Sequence, residues 1–107
     1  MTRQHRERLA NRLFAFGHHR RIAVLMLLIN RPDVGDTLGT LERTSRISHT
    51  SLIHHLRVLE RAGFVDRIQK GGETEYRANR PALENVSTEF IGMIASNAPA
   101  APMQKAA

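Results

Sequence analysis

The chain contains no cysteine among its 107 residues. Disulfides, thiolate metal sites and cysteine nucleophiles are therefore excluded. Acids are scarce, ten Asp and Glu against 16 Lys and Arg, and they are scattered rather than grouped. No Ser/His/Asp order, Gly-rich phosphate loop or carboxylate cluster stands out. A catalytic pocket is also hard to build in so short a chain, so the sequence argues against an enzyme and calls for no cofactor. Long apolar runs are missing too. The longest, Ile22 to Ile29, falls well short of the roughly 20 residues that cross a bilayer. The opening stretch MTRQHRERLANRLF has no apolar core of signal-peptide type. A cytoplasmic protein with no membrane partner is the expectation, and no internal repeat is present.

What remains is the composition of one folded domain. The hydrophobic fraction of 41% is ordinary for a globular chain. The formal charge of +6 and a pI near 11.3 favour a polyanionic partner, nucleic acid being the commonest. Seven of the 16 basic residues precede residue 32, so the charge belongs to a folded surface rather than to a basic tail.

The hydrophobic spacing predicts five helices. Arg3 to Phe16 has Leu9, Leu13 and Phe16 at i, i+4 and i+7, and Gly17 stops it. His18 to Asn30 is apolar nearly all round and is expected at the centre of the core, ending at Pro32. A short helix, about Thr37 to Thr44, faces Leu38 and Leu41 inward. After Ser45-Arg46-Ile47, Ser48 is the N-cap of a helix that runs to Arg61 or Ala62, with Gly63 as its left-handed stop. Helix, short turn and capped second helix form a helix-turn-helix pattern. FVDRIQ and TEYRAN then flank Lys70-Gly71-Gly72-Glu73 as a basic hairpin, the wing. Pro81 opens a last helix, and from Asn97 onward the Ala/Pro-rich end is expected to be disordered. The fold class is thus mainly α with a small two-stranded β-wing, a winged helix-turn-helix. Residues 1–96 form the DNA-binding and dimerisation domain and 97–107 the tail.

Residues 48 to 62 carry most of the functional signal. At 100° per residue, Leu52, Leu56 and Leu59 fall in one arc with Gly63. Thr50, His54, Arg57 and Arg61 lie opposite, with Ser51 to one side. Hydroxyls and an imidazole near the N-terminus, then arginines, suit a helix in a DNA major groove. Most polar stripes are merely solvated, and the accompanying turn, wing and basic charge favour DNA here. Ser48 and His49 at the helix start, and Arg67, Gln69 and Lys70 in the wing, complete the candidate contacts to double-stranded DNA. The histidines are a poor metal set. His49 and His54 are five apart, His54 and His55 diverge, and neither spacing lets two rings converge on one ion. His55 is expected as a packed ring with a satisfied hydrogen bond.

The stretch ISHTSLIHHLRVLERAGFVDRIQKGGETEYRAN resembles the ArsR family of bacterial winged-helix repressors. Ser48, His55, Leu56, Leu59, Ala62, Gly63 and Val65 fall in register with the family's recognition-helix motif, as do Gly71 and Tyr76 in the wing. The similarity covers about residues 18 to 78; the MarR-type families share the fold with a weaker match. Two positions depart from the motif, Ile53 where the family commonly has Ser and Gln69 where it commonly has Arg. The metal-sensing motifs are absent, since the 37–44 helix has no Cys-x-Cys and the last helix no histidine. Metal-responsive repression is therefore not implied. His5, His18 and His19, with Glu7 or Glu89, are the only candidates for a nitrogen/oxygen metal site, and adjacent histidines at a helix start are usually surface residues.

The first and last helices carry apolar stripes, Leu9, Leu13 and Phe16, and Leu83, Val86, Phe90 and Ile94. A two-fold partner covering what the core does not is the expected use, giving a homodimer, as the resemblance also implies. The function expected is a dimeric repressor on an inverted-repeat operator, its inducer, metal or small molecule, unassigned. The alternatives are a winged-helix protein-interaction module and a non-specific nucleoid-type DNA binder.

Overall fold

The computed structural model of the chain describes residues 1–31 and 34–96. The order is α1 (Arg3–Phe14), α2 (His19–Ile29), β1 (Asp36–Thr37), α3 (Leu38–Ser45), α4 (His49–Arg61), β2 (Val65–Lys70), β3 (Glu73–Ala78) and α5 (Arg80–Ser96). The five helices agree with the hydrophobic spacing to within one or two residues. The tail from residue 97 lies outside the described residues. Among the described residues no helix is long and apolar enough to cross a membrane.

Each helix except α4 begins on a side chain that relieves an unpaired backbone N–H. Thr2 accepts from the His5 N–H and Thr37 from that of Thr40. Asn79 accepts from Ala82 N at 3.0 Å, which starts α5 at Arg80, one residue before the proline expected to open it. The end of α4 is a complete Schellman turn. Phe64 N donates to Leu59 O at 2.9 Å and Gly63 N to Glu60 O at 3.0 Å, with Gly63 at φ +87°. That turn drops Phe64 into the core and aims the chain into β2.

The wing is larger than the two-stranded hairpin read from the sequence. β1 adds to its edge, giving an antiparallel sheet in the order β1-β3-β2, with Asp36 opposite Tyr76 and Thr37 opposite Glu75. Two residues are too few to display an alternating pattern, so nothing in the sequence marked them as a strand. Gly35 permits the approach: a Cβ there would sit 2.7 Å from Glu75 Oε1 and 2.8 Å from its Cβ.

Val24, Leu28, Leu41, Leu52, Leu56, Leu59, Phe64, Val65 and Val86 form the fully buried core. Each large side chain there contributes roughly 1.5–3 kcal/mol over its exposed state. The second helix is less central than its composition implies. Val24, Leu25 and Leu28 are buried, whereas Ile22 is 40% and Met26 60% exposed, because α3, α4 and the sheet cover only one side of it.

Candidate nucleic-acid interface

The turn between α3 and α4 is set by Arg46, which adopts a left-handed conformation at φ 59° and returns its N–H to Glu42 O at 3.0 Å. Ile47 is then buried and Ser48 takes the extended N-cap backbone. Its hydroxyl makes no cap hydrogen bond, so the cap expected from sequence is present in backbone form only and the oxygen stays available at the helix start.

Along α4 the two faces separate as the spacing predicts. Leu52, His55, Leu56 and Leu59 are buried. Thr50, His54, Arg57 and Arg61 are exposed, and Ser51 is half-buried. With His49 and Ile53 this outward row lines a cleft of about 410 Å³. Arg57 and Arg61 form no ion pair among the described residues, so both guanidiniums are free to meet phosphates or base edges. His49 is different: its Nδ1 lies 3.3 Å from Glu42 Oε1 on α3, a contact that braces the two helices.

Behind this face lies a polar cluster. Arg21, only 6% exposed, donates from Nε to Ala15 O at 2.8 Å, and its Nη1 lies 3.3 Å from His55 Nδ1. Its guanidinium also sits over the Phe14 ring at 5.8 Å. His18 caps α2 by accepting from Arg20 N through Nδ1 at 3.1 Å, and its ring lies 4.5 Å from that of His55. His19 stacks on His18 at 5.1 Å, and His54 stands 5.4 Å from His55. Burial, then the neighbouring positive groups, holds both His18 and His55 below the usual imidazole range. The packed ring expected for His55 is there. Its partner Arg21 lies 34 residues away in sequence, and nothing local announced the pairing.

The wing residues are tied within the chain. Arg67 Nε is 3.5 Å from Glu60 Oε2, Lys70 Nζ is 3.9 Å from Glu75 Oε1, and Gln69 Oε1 accepts from Thr74 Oγ1 at 2.9 Å. All three stay exposed, so DNA would exchange these contacts rather than meet idle side chains. The metal candidates are not assembled within one chain. His18 and His19 are neighbours, while His5 bonds with Thr2 in the first turn of α1. Among the described residues no group of three His, Asp or Glu is placed to hold an ion.

The stripes assigned to a dimer divide in two. Leu9 and Val86 are buried within the single chain, and Leu13, Phe16 and Leu83 are half-buried against its core, Phe16 on Phe64 at 4.6 Å between centroids. Only Phe90 and Ile94 of that set are exposed, at 39% and 54%. Phe14 and Ile91, outside the stripes read from the sequence, are the most open large apolar side chains among the described residues, at 70% and 65%. Counting helical periods locates apolar stripes but not how much of each the same chain covers.

Compared by sequence, the chain matches no protein-family model and no curated protein. Compared by structure, it is similar to an ArsR-like transcriptional regulator from a Rhodococcus species at 23% identity, covering 87% of each chain with a TM-score of 0.73. It is also similar to a homodimeric winged helix-turn-helix DNA-binding domain from Mycobacterium bovis, at 16% identity over 92% of this chain and 89% of that one, TM-score 0.65. The transcriptional repressor BigR from Xylella fastidiosa matches at 22% identity over 91% and 94% of the two chains, TM-score 0.65. With five helices among its described residues, the α3–α4 pair and the sheet that follows it, the chain has the winged helix-turn-helix fold found in ArsR-type regulators.

Proposed function

We propose that this chain is a sequence-specific DNA-binding transcriptional regulator, acting as a homodimeric repressor. The carrying observation is the row Thr50, His54, Arg57 and Arg61, open to solvent while Leu52, Leu56 and Leu59 of the same helix are buried. An α-helix with that division enters the major groove with hydroxyl and imidazole groups toward base edges and guanidiniums toward bases or phosphates. Ser48 and Ser51 flank its entry. Arg67, Gln69 and Lys70 follow the backbone or the adjacent minor groove. The exposed Phe14, Phe90, Ile91 and Ile94 supply the apolar surface for a second copy. Two recognition helices then read an inverted repeat with half-sites about 34 Å apart. The named regulators of the same fold, one solved as a homodimer, support this reading.

The test is to recover and sequence genomic fragments bound by the purified protein, with and without nickel and zinc. The recovered site and a scrambled duplex are then compared at one salt concentration. A shared inverted repeat bound at least about 10³-fold more tightly than scrambled DNA is expected. Equal affinities would leave a non-specific binder, and recovery of no DNA would leave an interaction module.

A further inference from the structure

A second cavity, of about 440 Å³, lies between α1 and α4 and adjoins the outward cleft, with which it shares Val58 and Arg61. Its volume is in the range of small-molecule sites. Ala15 and Val58 give it an apolar floor, while Arg8, Arg12, Arg61 and the Asn11 carboxamide stand round it. Arg12 already has a counter-charge, its Nη2 meeting Glu89 Oε1 at 2.5 Å. The Arg8 and Arg61 side chains form no ion pair among the described residues, Arg8 acting on the Glu89 carboxylate only through longer-range attraction. Two guanidiniums outside any ion pair beside an apolar floor are the complement of a molecule with one anionic and one apolar end. Inorganic phosphate would leave the floor wet, and a neutral apolar ligand would leave the cations unpaired. The C-terminal ends of α1 and α4 lie nearby and disfavour an anion, which makes both free guanidiniums necessary to the site. Guanidinium and carboxylate pair through two parallel hydrogen bonds, the geometry that suits a carboxylate best.

We propose that the α1–α4 cavity binds a small amphiphilic carboxylate, aryl or short alkyl, held between Arg8 and Arg61 with its apolar part on Val58 and Ala15. Arg61 also belongs to the outward row with Thr50, His54 and Arg57. A carboxylate that engages it removes one cation from that row, so ligand and DNA oppose each other. This coupling, unlike the binding itself, rests on the DNA reading. By linkage the antagonism is reciprocal.

Amide NMR titration of the free protein with benzoate, inorganic phosphate and benzyl alcohol, at constant ionic strength, tests the site without DNA. Saturable shifts around Arg8, Asn11, Val58 and Arg61 are expected with benzoate alone, and Arg8→Ala should weaken its binding about tenfold or more. Arg8 is exposed, so the folded spectrum should survive the substitution, and Arg8→Lys should recover part of the affinity. Absence of saturation, equal shifts with phosphate, or an unaltered Kd in Arg8→Ala would each overturn the site. On the recovered operator, benzoate should raise the Kd for DNA in the wild type and not in Arg8→Ala. Benzoate binding with no change in operator affinity would refute the coupling. A protein that binds no operator would refute the DNA reading, while the NMR titration would still decide the cavity.

Discussion

At the scale of single residues, two kinds of position can be separated by experiment. Gly63 has open space around the Cβ it lacks, and its φ of +87° is one that side-chain-bearing residues avoid. Gly63→Ala therefore introduces backbone strain and no clash, and should lower stability by about 1–2 kcal/mol in a urea titration. Arg57 is exposed and unpaired, so Arg57→Ala should leave stability alone and weaken operator binding by about 1–3 kcal/mol if it contacts a base. Lys70 lies 3.9 Å from Glu75. Its loss should lower the slope of log K against log salt by about one and affect all sequences alike, because a phosphate contact carries no base information. Arg57→Ala and Lys70→Ala proteins that bind as wild type in a gel-shift salt series would remove α4 and the wing from the interface.

At the scale of elements, the packing of α2 on α4 should be acid-sensitive. His18 and His55 each use Nδ1 as an acceptor, His18 for the Arg20 N–H and His55 for the Arg21 guanidinium. A proton there costs the contact and adds charge beside the Arg20 and Arg21 guanidiniums and the His19 and His54 rings, the groups that bear on the pair. Both imidazoles are held below their ordinary pKa, so the unfolded chain takes up protons first as pH falls. Stability is full above about pH 6.5 and declines as pH drops through the folded values. Urea midpoints should fall between pH 7 and pH 5, and the fall should shrink in His18→Asn, which keeps an N-cap and removes a titrating ring. Identical midpoints for the two proteins across that range would count against this account. Glu89, held below the usual carboxylate range chiefly by its hydrogen bond from Arg12, loses its share only at lower pH. The contrast between these elements and α4 explains what the sequence makes legible. The spacing along α4, the Gly63 stop and the hairpin are local patterns. The Arg21–His55 contact joins distant segments, β1 is two residues long, and Arg46 adopts a left-handed turn with no glycine to mark it.

At the scale of the whole molecule, the first and last helices meet through Arg12 and Glu89, and Phe14, Phe90, Ile91 and Ile94 stay open to solvent. Ile91→Glu with Ile94→Glu should give a folded monomer by light scattering, with operator affinity lowered as the second half-site is lost. The wild-type melting temperature should rise with protein concentration and that of the double variant should not. A wild type that is monomeric at all concentrations would remove the two-fold arrangement. The short strand β1 has a further consequence. It pairs with β3 on one side and runs directly into α3 on the other, since Thr37 both ends the strand and caps the helix. The hairpin is therefore not a detachable module. Transplanting residues 65–78 alone into another scaffold would strand the backbone partners of Tyr76 and Glu75, and a working graft would have to start at Gly35 and carry the helix-turn-helix with it.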